Sequence, residues 1–121
     1  MGKTSYKVGD VVKLNLNPTE GGEKGKIRPC LVLVGSGHPW GLVVIVPITE
    51  DTGARNAKLF VPIPHNKETG LDKPSCVDCF QVRCVAESRI LELKGKAPDD
   101  VLENVRTRLA AILDIGEEHV T

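Results

Sequence analysis

A chain of 121 residues with 40% hydrophobic content lies in the single-domain range and can bury one sizeable core without metals or disulfides. Its 16 basic and 16 acidic side chains cancel, which excludes nucleic-acid binding through overall charge and leaves only a local patch to supply it. The longest apolar run, Leu42 to Ile48, is far shorter than a membrane span, and no N-terminal stretch joins a basic segment to a long apolar one. A soluble, cytoplasmic protein with no membrane partner is therefore expected, as one domain over residues 1–121 with a core of about 8–115 and short flexible termini.

The first element is a half-buried strand over Val11 to Leu16, ended by the turn chemistry of Asn17-Pro18-Thr19. A loop rich in glycine and charge follows, Glu20-Gly21-Gly22-Glu23-Lys24-Gly25-Lys26-Ile27, and closes on Arg28-Pro29. Pro29 biases Arg28 toward extended backbone, so its guanidinium is offered from a strand entrance, and a fork of donors suits a phosphate. On these residues alone the loop is either a solvated hairpin or an anion-handling loop. Charge placement is uneven. Residues 1–30 carry Lys3, Lys7, Lys13, Lys24, Lys26 and Arg28 against Asp10, Glu20 and Glu23, whereas residues 97–121 carry six acids against Arg106 and Arg108.

Cys30-Leu31-Val32-Leu33-Val34 is continuously apolar, the mark of a central strand covered on both faces. Gly35 to Pro39 turns the chain, and Leu42 to Thr49 returns as a strand. Pro47 cannot donate in a ladder and so marks that strand's edge or end, which leaves Thr49 exposed at a strand mouth, either as a turn cap or as a functional hydroxyl. Glu50 to Ala57 reads as a loop, Leu59 to Ile63 as a short strand, Ser75 to Val85 as a longer one, and Arg89 to Leu93 as a last strand closed by Lys94-Gly95-Lys96.

Helical period occurs once, at Val101, Val105, Leu109 and Ile112, with Leu102 and Leu113 widening the stripe. Pro98 suits a first helical position, and Asp99 and Asp100 complement the positive end of the helix dipole. The elements together predict a mainly β chain with a C-terminal helix, as a small, strongly bent sheet or barrel closed on one side by that helix.

Cys76 and Cys79 have the spacing of half a zinc knuckle. Residues three apart on a strand point to opposite faces, however, and no second pair exists, so no metal or other cofactor is expected and the four cysteines read as small, partly buried thiols. His38, His65 and His119 fall in turns or the tail and read as solvated. The loop holding Arg28, Lys24 and Lys26 suits an RNA backbone, with Glu23 as a candidate proton acceptor; attack by a ribose 2′-hydroxyl needs charge stabilisation and proton transfer but no metal.

Gly9-Asp10-Val11-Val12, Asn17-Pro18-Thr19 followed by Gly21 and Glu23, Arg28-Pro29 entering an apolar strand, and Val46-Pro47-Ile48-Thr49 stand in an order that resembles the MazF/PemK (Kid) family of toxin endoribonucleases. Ser75 to Arg83, including Gln81, and the helix ending near Leu113 extend the similarity to roughly residues 8–115. The resemblance implies an SH3-like barrel of the CcdB/PemK type. It also implies a homodimer that cleaves single-stranded RNA to a 2′,3′-cyclic phosphate and a 5′-hydroxyl, and a cognate antitoxin that neutralises it. Arg28 and Thr49 match the family's catalytic arginine and threonine, and Glu23 an acid of the substrate loop. Thr19, Lys24, Lys26, Asp78 and Gln81 are the candidate substrate contacts. Three positions depart from the family pattern. Phe80 replaces an Asp, with Asp78 on the same strand face as a candidate substitute; Glu50 replaces a Ser or Thr; and Gly22 replaces a histidine. A binding-only toxin of the same fold, like the gyrase poison CcdB, or a degenerate binder of RNA or protein, is the alternative reading.

Overall fold

The computed structural model describes residues 5–53 and 55–116. Seven strands run in chain order: β1 (Asp10–Asn15), β2 (Ile27–Val34), β3 (Leu42–Glu50), β4 (Phe60–Ile63), β5 (Ser75–Asp78), β6 (Arg83–Ala86) and β7 (Ile90–Lys96), followed by one α-helix, α1 (Asp99–Ile112). All pairings are antiparallel, in the order β4-β5-β3-β2-β1-β7, with β6 beside β3. The sheet is barrel-like without being closed, since its two end strands β4 and β7 do not pair with each other.

β3 is the strand on which the bend turns. One edge pairs with β2 from Val44 to Pro47, while the other pairs with β6 over Leu42 to Ile45 and with β5 over Ile48 to Glu50. Pro47 stands between the two partners on that second edge, so the residue without an N–H occupies the gap in the ladder. It therefore marks a change of partner rather than the strand's end. Thr49 is correspondingly buried, at 9% exposure, contrary to the exposed strand mouth read from the sequence.

Side-chain alternation along β1, β2 and β3 feeds two cores. Val11, Leu31, Val46 and Ile48 join Val61, Ile63 and Val77 against the helix residues Val101, Leu102 and Val105. On the opposite face Val12, Leu14, Cys30, Val32, Val43, Ile45 and Val85 pack together. Burial on both faces explains why Cys30-Leu31-Val32 is uninterruptedly apolar. The helix buries the stripe expected of it at Val101, Leu102 and Val105, with Leu109 and Ile112 packed at its margin. Leu113, by contrast, follows the last helical residue and is exposed. Pro98 precedes the first helical residue, and its carbonyl accepts from Val101 and Leu102.

Two expected elements differ. Ser75 to Val85 is not one strand: a 3-10 turn over Cys79–Gln81 separates β5 from β6, which re-aims the chain and turns Phe80 out to solvent. The premise that Asp78 and Phe80 share a strand face therefore fails at that turn. β7 continues through Lys94-Gly95-Lys96 instead of ending there. Gly95 serves close approach and not a turn, because a Cβ on it would lie 2.2 Å from the Glu68 carbonyl oxygen, and Lys96 N–H donates to that same oxygen at 2.7 Å. Among the described residues no helix is long and apolar enough to cross a membrane.

Cys30, Cys76 and Cys79 are buried and Cys84 is exposed, all as free thiols. Burial pushes the Cys30 thiol from 9.0 up to about 12, against the lowering charges of Arg28 and Arg83. Burial, assisted by the Asp78 charge, pushes Cys79 up to about 11, and burial also raises Cys76. Above pH 9 the unfolded chain releases thiol protons that the folded chain retains, so stability is full below that pH and falls as pH rises toward the folded values. The expected slope is about 1.4 kcal/mol per pH unit for each such thiol. Urea titrations between pH 8 and pH 11 measure it, and native-state alkylation should modify Cys84 alone; rapid labelling of Cys30 without unfolding would contradict this burial.

Candidate active site

Between β2 and β3 the ladder sets Val32 opposite Ile45, Leu31 opposite Val46 and Cys30 opposite Pro47. Continued by two residues, the same register brings Arg28 opposite Thr49, both on the face that carries Cys30, Val32, Val43 and Ile45. Both residues line a cleft of about 570 Å³ at this end of the sheet. Its walls carry six basic side chains, Lys13, Lys26, Arg28, Arg55, Lys73 and Lys94, against Glu50 and Asp72. The local basic patch that a neutral chain needs is thus built from five separate segments of sequence.

Arg28 belongs to β2 and is paired with Leu14, so its backbone is fixed by the ladder. Its Nε–H donates to the Gly25 carbonyl at 2.9 Å, which orients the guanidinium and leaves the terminal nitrogens as its remaining donors. Arg55 is steadied from the other wall, with Nη2 donating to the Glu50 carbonyl at 3.2 Å and the guanidinium 5.2 Å from the centre of the Phe60 ring.

Arg28 also lines a second, shallower cavity of about 450 Å³ with Thr19, Gly22, Glu23, Lys24 and Lys26. It is the hinge between the cleft holding Thr49 and the loop holding Glu23. Glu23 is exposed and its Oε1 accepts from the Glu20 N–H at 2.9 Å, a local cap on the loop's turn. Thr19 and Asn17 pack over Gly25, and Lys26 takes a left-handed φ of 68° while its N–H donates to Asn17 Oδ1 at 2.9 Å.

The loop is held from a distance, which sequence reasoning missed. Gln81 Oε1 accepts from the Lys24 N–H at 2.6 Å, and its Nε2 donates to the Gly22 carbonyl at 3.1 Å. Lys24 Nζ lies 3.4 Å from Asp78 Oδ2, whose side chain is 4% exposed. Three consecutive carbonyls at the loop's entrance also accept from arginines: Leu16 from Arg83 at 3.1 Å, Asn15 from Arg89 at 3.1 Å, and Asn17 from Arg89 as well. The structure therefore brings Arg28, Thr49 and Lys26 into one cleft and sets Thr19 and Glu23 beside it. Lys24, Asp78 and Gln81 are engaged in holding the loop's backbone and flank. No sequence pattern links positions so far apart, 57 residues for Lys24 and Gln81, so these clamps had no local signal.

Among the described residues no group of three or more His, Cys, Asp or Glu side chains is arranged to hold a metal ion.

Fold and cleft together define a small antiparallel β protein, capped by one helix, with a basic groove at the β2–β3 mouth. The chain belongs to the family described as PemK-like, MazF-like toxin of type II toxin-antitoxin system, whose model matches residues 7–113. Endoribonuclease MazF of Staphylococcus epidermidis is 31% identical over 86 residues, 69% of this chain and 71% of the relative. The crystal structure of MazF from Deinococcus radiodurans superposes with a TM-score of 0.77 at 29% identity, covering 93% of this chain and 100% of that one. A MazE-MazF structure from the same organism gives 0.73 at 25% identity, covering 94% and 100%. A mycobacterial endoribonuclease in complex with its cognate antitoxin shares the fold, with a TM-score of 0.69 at 16% identity over 93% of this chain and 98% of that one.

The Lys24–Asp78 pair yields a test of the clamp. Removing the lysine leaves a carboxylate buried and unpaired, so Lys24→Met should cost about 3 kcal/mol, whereas Lys24→Met combined with Asp78→Asn should recover most of that loss. Urea unfolding of the two single variants and the double variant checks it. Simple additivity would show that the two charges do not depend on each other.

Proposed function

We propose that this MazF-type toxin is an endoribonuclease that cleaves single-stranded RNA by attack of a ribose 2′-hydroxyl on the adjacent phosphate, leaving a 2′,3′-cyclic phosphate and a 5′-hydroxyl. The observation that carries the reading is the convergence of Arg28 and Thr49 in one basic cleft. In the in-line displacement the 2′-oxygen forms a bond to phosphorus as the 5′-oxygen leaves, and negative charge accumulates on the non-bridging oxygens. Arg28 serves that charge with its terminal N–H groups, which are aimed by the Nε bond to Gly25 and cost little reorganisation when the charge develops. Thr49, almost withdrawn from water, offers a hydroxyl on the same face. Lys13, Lys26, Lys73 and Lys94 receive the flanking phosphates, so binding should weaken steeply with salt.

Proton transfer requires an acid–base group; Glu50 and Asp72 line the cleft itself, and the two carboxylates singled out by the sequence, Glu23 and Asp78, differ in placement. Glu23 shares a cavity with Arg28, whereas Asp78 is buried against Lys24 and lines none of the three cavities lined by loop or cleft residues. Glu23 is the better placed of the two. The reading extends to the setting: one toxin domain, acting in the cytoplasm as a homodimer, neutralised when a cognate antitoxin segment covers the basic cleft. The MazE-MazF structures support an antitoxin partner through their similarity to this chain.

The test is to incubate purified protein with long single-stranded RNAs in EDTA. Cleavage by the parent, a loss of about 100-fold or more in Arg28→Ala, and 2′,3′-cyclic phosphate ends by mass spectrometry are expected. Thr49→Ala should reduce cleavage strongly while costing about 1 kcal/mol of stability. Equal cleavage by the parent and Arg28→Ala would remove Arg28 from the mechanism. Absence of cleavage on every RNA tried would favour a toxin that acts by binding.

A further inference from the structure

Phe80 is 64% exposed, in the turn that separates β5 from β6, and belongs to neither core. It does not stand alone on an open surface. With Gly22, Glu23, Gln81, Val82 and Arg83 it lines a cavity of about 530 Å³, and Gly22 and Glu23 also line the cavity that contains Arg28. Gly22 and Glu23 of the substrate loop thus border both the cavity of the ring and the cavity of the proposed phosphate site.

We infer that Phe80 is the stacking platform of a nucleobase subsite, one that takes the base of a nucleotide next to the cleaved bond; the inference rests on the ribonuclease reading above. A nucleobase needs a flat apolar face and a rim of donors and acceptors at its edge. Phe80 supplies the face. The rim is present too: Gln81 uses one N–H on Gly22 and one acceptor position on Lys24, which leaves an N–H and a lone pair on its amide. Arg83 uses Nη1 on Leu16 and keeps its other donors, and Glu23 accepts from Glu20 through one carboxylate oxygen only. This composition fits a base better than a protein anchor. The centre of a protein–protein interface is depleted of charged residues, whereas here Glu23 and Arg83 flank the ring.

The geometry also assigns a consequence to the position. A phenyl ring there cannot move protons, but it can make cleavage depend on which base, or whether any base, occupies the neighbouring position. Because Gln81 both borders the pocket and holds Lys24 and Gly22, occupancy of the subsite bears directly on the loop that aims Arg28.

The experiment uses an RNA that the parent cuts, made resistant by a 2′-deoxy nucleotide at the attacking position. Each flanking nucleotide is replaced in turn by an abasic residue, and affinity is measured by fluorescence anisotropy for the parent, Phe80→Ala and Phe80→Trp. One abasic position should weaken the parent by about 5- to 150-fold, the range for loss of one stacked base. Phe80→Ala should bind the intact RNA more weakly by a similar factor and be indifferent to that position, and Phe80→Trp should restore the dependence. When Phe80→Trp is combined with Trp40→Phe, so that the introduced indole is the sole one in the chain, its fluorescence should be quenched by intact RNA and not by the abasic one. Unchanged affinity in Phe80→Ala, or the same abasic sensitivity in Phe80→Ala as in the parent, would overturn the subsite while leaving cleavage intact. So would a Phe80→Ala effect confined to oligomeric state in sedimentation. A parent that neither binds nor cuts any RNA would remove the ribonuclease reading and the subsite together.

Discussion

The constraint on which the molecule depends is the change of partner along β3. A strand nine residues long serves β2 on one edge and, on the other, β6 and then β5, with Pro47 at the gap between them. A proline is destabilising where a ladder hydrogen bond is expected and neutral where none can form, so its position fixes where the sheet divides. The division lets the sheet bend enough to enclose a core on each face. It also leaves the far end of β3 walled by β5 and the loop after it, which is where Thr49 sits, buried yet bordering the cleft.

The same register that packs the core positions the chemistry. Cys30 and Pro47 face each other at the last paired rung, and Arg28 and Thr49, two residues further along their strands, both border the cleft at this end of the sheet. Rigid strands thus hold both residues, while the loop before Arg28 is charged and glycine-rich. A loop of that composition would cost conformational entropy to order on binding. Gln81, Asp78, Arg83 and Arg89 reduce that cost beforehand by holding its backbone and flank from β5, β6 and the turns beside them. Preorganisation here comes from residues distant in sequence from the loop they hold.

How much of this was legible in the sequence follows from the range of each interaction. Cys30 to Val32 announced a strand covered on both faces, and Val101 and Val105 announced the buried stripe of the helix, because both signals are local periodicities. Arg28 and Thr49 could be singled out by strand entrances, proline context and resemblance to a known family. The break at Cys79–Gln81 could not, since neither glycine nor proline marks it and the residues around it are as apolar as a strand requires. Gly95 looked like punctuation and is in fact a contact with Glu68, a distinction set by a distant segment of the chain. The burial of Thr49 was likewise invisible, because it depends on β5 closing over the end of β3.

The departures at positions 78 and 80 are connected by that same turn. An acid in place of Phe80 would stand on the exposed rim of the loop, whereas Asp78 lies behind it, at the end of β5, where burial demands a partner. Lys24 is that partner, and the pairing makes the carboxylate a fastening for the loop. The turn position carries an aromatic ring instead, and Glu23 of the loop lines both the cavity of that ring and the cavity of Arg28. Charge neutralisation at one end of the turn and aromatic exposure at the other are therefore two sides of one arrangement: the loop is held by an ion pair to Asp78, and two residues on, the turn presents Phe80 to solvent.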